Sequence, residues 1–215
     1  MKKSSFTRWL AAWSLASVSW WWPSHSIMGA TDTKRAVSAD PSLDIVTALE
    51  AKGPHPSLGD HAKAFERFVG TWDVEYTDYA EDGKTSHRSG EYILGWVMDG
   101  RAIQDVFVVY PSASNKEREV FTDLRYFDPK SGTWHAAFID PQGAYVARFT
   151  GAAGDDRMAF QTQDFAGTET RWSYTDIRPN SFVWREEESK DGGKTWRLSA
   201  ELHMKRRGAA AQAAK

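Results

Sequence analysis

The sequence predicts an all-β fold: an antiparallel up-and-down barrel of about ten strands, preceded by two short N-terminal helices. Three observations carry this. From Gly70 onward, apolar and polar residues alternate with a period of two, as in Trp72, Val74 and Tyr76 against Asp73, Glu75 and Thr77, the mark of half-buried strands. Turn signals separate every strand, and no helical pattern lies between them. A sheet of this size with one apolar face must close or fold over, which also removes its edges. A two-sheet sandwich is the other architecture with these properties.

The chain opens with Lys2, Lys3 and Arg8, then an uncharged, largely apolar run from Trp9 to Trp22, stopped by Pro23. That run is too short and too polar for a good membrane span. A charged start, an apolar middle and small residues form the pattern of a secretory signal peptide. Residues 1–30 are therefore expected to direct export, with cleavage after Ser26 or Ala30 and a periplasmic or secreted product. An uncleaved anchor is the competing reading. No Cys follows the leader, which excludes a lipoprotein.

Residues 31–56 read as a polar linker and a short helix. Asp40-Pro41 is the expected N-cap and first-turn proline; Leu43, Val46 and Leu49 form one face, and Gly53-Pro54 ends it. A second helix starts at Ser57 or Asp60 and runs to Val69, with Ala64, Phe65 and Phe68 on its apolar side. The barrel domain is placed at 57–206. Its strands are expected at 70–77, 86–98, 102–110, 119–127, 133–139, 145–150, 157–162, 168–176, 182–188 and 195–205. The turns between them include Asp82-Gly83, Asp99-Gly100, Asp128-Pro129-Lys130-Ser131-Gly132 and Asp140-Pro141-Gln142-Gly143, all built from residues that tolerate turn geometry. The Ala-rich end, 207–215, reads as a frayed tail.

Lys plus Arg number 27 and Asp plus Glu 29, for a net charge of −2, so nothing points to nucleic acid or an anionic surface. The absence of Cys removes disulfides, thiolate nucleophiles and Cys-ligated metals. No phosphate loop, dinucleotide fingerprint, His-Glu-x-x-His or Gly-x-Ser-x-Gly is present. No cofactor and no metal site is expected.

Phe68-Val69-Gly70-Thr71-Trp72, a helix leading into Gly-x-Trp on the first strand, resembles the start of calycin-type barrels such as lipocalins. A longer pattern resembles the bacterial domain-of-unknown-function 1579 family. It comprises the helix from Ala64 to Trp72, then Gly95-Trp96-Val97-Met98-Asp99-Gly100-Arg101, Arg125-Tyr126-Phe127-Asp128 and Gly132-Thr133-Trp134. Its end is Phe182-Val183-Trp184 and Ser189 to Trp196. The likeness covers residues 54–206, and its motifs are structural. It implies a lipocalin-like barrel without assigned chemistry. It also implies a basic residue of the last strand over the Trp72 ring, for which Arg206 has the right parity. Ser189-Lys190-Asp191-Gly192-Gly193-Lys194-Thr195-Trp196 fits the Asp-box pattern, here read as a hairpin turn rather than glycan chemistry. His203 stands where nitrobindin-like heme barrels carry their iron ligand. Parity, however, places it with Arg197, Ser199, Glu201 and Lys205 on the outer face.

A barrel lined by Trp, Phe, Tyr and Val suits a small hydrophobic ligand. The expected lining is Trp96, Gln104, Arg125, Trp134, Trp172 and Trp184. An enzyme (cyclase, isomerase or hydrolase) would use the same cavity, with His135, Asp123 or Arg125 as the acid–base groups. Asp123 and Arg125 share parity with Phe121 and Phe127, so both are expected to point inward and pair. Most of the other strand charges, a group that includes Asp105 and Glu186, are expected on the solvated outer face. An unpartnered ionisable group in the cavity would favour the enzyme, a dry apolar cavity the binder, and a filled core a scaffold. Heme binding through His203 is a further alternative. No stable membrane insertion is expected once the leader is removed.

Overall fold

The computed structural model describes residues 44–113, 115–153, 158–163 and 168–208. The leader and Asp40-Pro41 lie outside the described residues. Helix α1 is short, Ile45–Leu49, and its N-cap is Asp44, whose Oδ1 accepts from the Thr47 N–H at 2.8 Å. A 3₁₀ segment, Pro56–Ala62, kinks at Gly59 and runs into α2, Lys63–Glu66.

Ten strands follow: β1 Gly70–Tyr79, β2 Thr85–Val97, β3 Ala102–Val109, β4 Glu119–Asp128, β5 Thr133–Asp140, β6 Tyr145–Ala153, β7 Met158–Gln163, β8 Glu169–Arg178, β9 Ser181–Ser189 and β10 Arg197–Arg206. Each pairs antiparallel with its sequence neighbours, and β1 pairs with β10, so the barrel is closed. The sandwich is thereby set aside. Closure leaves no open ladder, the physical reason a meander of this length stops at a ring.

Period two holds where it matters. Trp72, Val74 and Tyr76 are buried while Asp73 and Glu75 are exposed. One end is sealed by the segment before the barrel. Phe65 meets Trp134 edge-on at 4.7 Å, and Phe68 meets Phe182 edge-on at 4.8 Å. Both phenylalanines are 1% exposed. The apolar side of a four-residue helix has no stability of its own; it is held here because it plugs the barrel.

Two glycines are dictated by this seal. At Gly100, φ is +75° and an added Cβ would lie 2.2 Å from the Gly53 carbonyl oxygen, where the His55 N–H donates to Gly100 O at 2.9 Å. At Gly70, φ is +128° and a Cβ would lie 2.9 Å from an Arg206 guanidinium nitrogen. Only a residue without a side chain fits either backbone and either neighbour.

The Asp-box is a hairpin turn. Asp191 accepts from the Lys194 and Thr195 N–H groups at 3.0 and 2.9 Å, and the Ser189 hydroxyl accepts from the Gly193 N–H at 2.8 Å. These bonds hold the Asp191 carboxyl down at about 2, the Thr195 side chain and backbone foremost among them. Arg207, assigned by composition to the frayed tail, is instead tied down: it pairs with Asp73 at 2.7 Å and Glu91 at 2.8 Å.

Candidate functional site

The half of the barrel away from the helices holds a cavity of about 60 Å³ that opens to solvent. That is room for about four waters, at roughly 15 Å³ of water-centre space each. Its wall is an aromatic belt drawn from different strands. Tyr76 meets Phe107 at 5.9 Å, Phe107 meets Phe121 at 5.8 Å, and Phe121 stacks on Phe138 at 5.9 Å. Phe138 then meets Trp172 at 5.6 Å, and Trp172 meets Trp184 at 5.6 Å. Behind Trp172, the Phe149 ring stacks at 3.6 Å. These are the offset and edge-on distances at which aromatic pairs attract beyond their area burial.

Toward the sealed end the cavity has a polar base. Arg125, 1% exposed, donates to Asp105 at 2.5 Å, to Asp123 at 2.9 Å and to the Tyr174 hydroxyl at 3.2 Å. Asp105 also accepts from the Tyr92 hydroxyl at 2.7 Å and the Asp123 N–H at 3.1 Å. One guanidinium thus serves two buried carboxylates. Asp105 holds it more closely and has more donors, while Asp123 Oδ1 has no hydrogen-bond partner. Burial therefore prevails at Asp123 and raises its carboxyl, even beside Arg125, and the Asp105 charge raises it further. Burial alone would lower Arg125; the surrounding tyrosines and carboxylates reverse this and hold it cationic.

On the other side of the cavity stands Glu186, 7% exposed. Its carboxylate accepts from Trp172 Nε1 at 3.0 Å and from the Ser199 hydroxyl at 2.8 Å. No cation pairs with it among the described residues. Burial raises its carboxyl, against the pull of those two hydrogen bonds. Ser199 reaches it because the β9–β10 register shifts between Leu198 and Ala200, and such a bulge re-aims a side chain.

Of the expected lining residues, Arg125, Trp172 and Trp184 line the cavity. Trp96 and Trp134 are 5% and 3% exposed but belong to the packing at the sealed end. Gln104 is corrected: Asp105 and Phe107 line the cavity, and Gln104 has the opposite parity to both. It bonds to Thr122 at 3.0 Å instead. His135 is corrected as an acid–base group of the cavity. Inward positions on β5 are Trp134, Ala136 and Phe138, so His135 lies on the outer wall, stacked on Tyr126 at 5.2 Å.

Asp123 and Arg125 point inward and pair, as their parity requires. His203 is an outer residue bonded to Glu201 at 2.8 Å, so it has no path to a ligand in the barrel, and heme ligation through it is withdrawn. Asp105 and Glu186, members of a group of strand charges mostly expected outside, are both interior. Their parity with Phe107 and with Phe182 and Trp184 was the available signal. Ser199 was expected outside with Arg197 and His203; the bulge overrides that parity.

No protein-family model matches the chain, and no curated protein matches it. Solved structures do match. The S-type phycobiliprotein lyase of Guillardia theta is 11% identical over 67% of this chain and 90% of its own, with a TM-score of 0.48. A redesigned β-barrel, mFAP1, bound to DFHBI, is 15% identical over 66% of this chain and 98% of its own, with a TM-score of 0.36. The EF1p2_mFAP2b protein bound to DFHBI is 15% identical over 67% and 97%, with a TM-score of 0.37. By its own strand order, this chain is a closed ten-stranded antiparallel up-and-down barrel.

Proposed function

We propose that this protein is an exported lipocalin-like barrel that binds a small, largely hydrophobic ligand at its open end. The carrying observation is the aromatic belt around a solvent-accessible cavity, from Tyr76 round to Trp184. A core built only for packing fills its interior, as Phe65, Phe68 and Trp134 do at the sealed end. Here aromatic faces are left lining free space, with a few placed polar groups, which is the composition of a ligand pocket. Residues 1–30 act in this reading as a signal peptide, with the mature chain working in the periplasm or outside the cell. The resemblance to the domain-of-unknown-function 1579 family rests on the motifs quoted above.

The test is titration of the mature protein with a small apolar fluorophore, following quenching of intrinsic Trp emission. Stoichiometric binding supports the proposal. A well-folded protein that binds no apolar probe returns it to a scaffold.

A second reading, catalysis, is favoured by one observation: Glu186 is a buried carboxyl with raised proton affinity beside the cavity, the setting of many general acids and bases. Recovering bound molecules after incubation and comparing their mass and isomer with the input distinguishes the two. Unchanged molecules mean binding.

A further inference from the structure

The interior charges do not balance. Asp105, Asp123 and Glu186 line one cavity with a single guanidinium, Arg125. Arg125 is ion-paired with both Asp105 and Asp123 through its two terminal nitrogens, and its buried Nε is left without a hydrogen-bond partner. Asp123 Oδ1 is left with no hydrogen-bond partner, although the residue is 7% exposed. Glu186 is equally buried, and only the neutral donors of Trp172 and Ser199 hold it. The next cation, Arg88, is engaged elsewhere: it pairs with Glu119 at 2.6 Å and Asp78 at 3.2 Å.

Buried carboxylates are retained when something pairs with them. The rings beside these two are Trp172, Trp184, Tyr76 and Phe107, whose π faces attract cations.

We infer that the cavity selects a cationic ligand, a protonated amine on a compact apolar body, with Glu186 as its counter-ion and the Asp123 carboxyl adding to the negative field of the wall. This rests on the binding reading above and names its ligand class. Burial raises both carboxyls, at Asp123 against the pull of Arg125 and at Glu186 against only neutral hydrogen-bond donors. An ammonium supplies the counter-charge that Glu186 lacks, its N–H groups donate to that carboxylate, and its apolar body packs on the aromatic belt. Anions are disfavoured, since Arg125 is already ion-paired with Asp105 and Asp123 and the Glu186 carboxylate faces the same space.

The experiment compares three probes of one shape on the mature protein by calorimetry: benzylammonium, benzyl alcohol and benzoate. Benzylammonium should bind about tenfold or more tighter than benzyl alcohol, with benzoate weakest, since charge-assisted and cation–π contacts act only for the cation. Glu186→Gln is shaped to keep the local bonds. Its carbonyl accepts from Trp172 Nε1 and its NH₂ donates to the Ser199 hydroxyl, which retains the Glu186 main-chain oxygen as its own acceptor. In that variant the ammonium-to-alcohol preference should fall to about twofold or less.

Asp123→Asn is the second variant and should narrow the same ratio partially. Equal binding of ammonium and alcohol, or preference for benzoate, overturns the cation inference and leaves hydrophobic binding intact. Failure of all three probes and of the apolar fluorophore overturns both. The wild-type ratio is decisive even if a variant does not fold.

Discussion

The Arg206 guanidinium lies 4.0 Å over the Trp72 ring, and together the two residues lock the chain's helical plug to both ends of its strand order. Trp72 Nε1 donates to the Phe68 carbonyl at 2.8 Å. Arg206 donates to the Arg67 and Val69 carbonyls at 2.7 and 2.8 Å, carbonyls that α2 and the turn after it leave without a helical partner. Since Trp72 and Arg206 are also register partners on β1 and β10, one cluster closes the barrel and seats its plug.

Trp72 is 0% exposed, so Trp72→Ala should cost about 3–5 kcal/mol. Urea unfolding of the variant checks this. A loss under about 1 kcal/mol would mean that the ring is not the keystone of the sealed end.

Gly100→Ala should destabilise by about 1–3 kcal/mol from its left-handed backbone alone, and by more because its Cβ has no room against Gly53 and His55. Gly83, with φ +78° and nothing within 4 Å of its Cβ position, is the control: it carries the backbone strain without the collision. Equal midpoints for the two variants would refute the close approach.

Trp184→Ala should weaken fluorophore binding while leaving the sealed end intact, because Trp184 lines the cavity. Trp134→Ala should instead act on stability, by about 3–5 kcal/mol, through loss of its packing on Phe65. Paired binding and melting curves separate the two, and reversed effects would misplace the site.

Stability should carry a pH signature from Asp123. Its carboxyl is raised in the fold from 3.8 to about 7, so between those values the folded state holds a proton that the unfolded chain has lost. The contribution is full below about pH 4 and disappears as pH rises to about 7. Relative to wild type, Asp123→Asn should therefore flatten the fall in urea midpoint across that window. Parallel curves would show that Asp123 titrates normally.

Residues 1–30 are proposed to be removed on export. Mature protein from the envelope fraction should begin between residues 25 and 31 when its N-terminus is sequenced. Recovery of Met1 on that material would contradict cleavage.

The alternation of apolar and polar residues, broken at Asp99-Gly100, Asp128 to Gly132 and Asp140 to Gly143, was enough to determine ten strands and their order, because each short turn permits only an antiparallel neighbour. Gly70, Trp72 and Arg206 were legible for the same reason: parity on the first and last strands fixes which side chains meet once the ring closes. So was the inward pair Asp123 and Arg125. Closure itself decided the rest. It set which aromatics pack under the plug, as Trp96 and Trp134 do, and which line free space, as Trp172 and Trp184 do; all four share one pattern in sequence and differ only in height along the barrel. It also brought Asp105 from β3 to Arg125 and Glu186 from β9 to Trp172. The bulge beside Ser199 changed parity within one strand, a backbone event with no glycine or proline to announce it. Local periodicity sets a side chain's face, but its depth and its partners depend on strands far apart in sequence, and these were settled only by the three-dimensional ring.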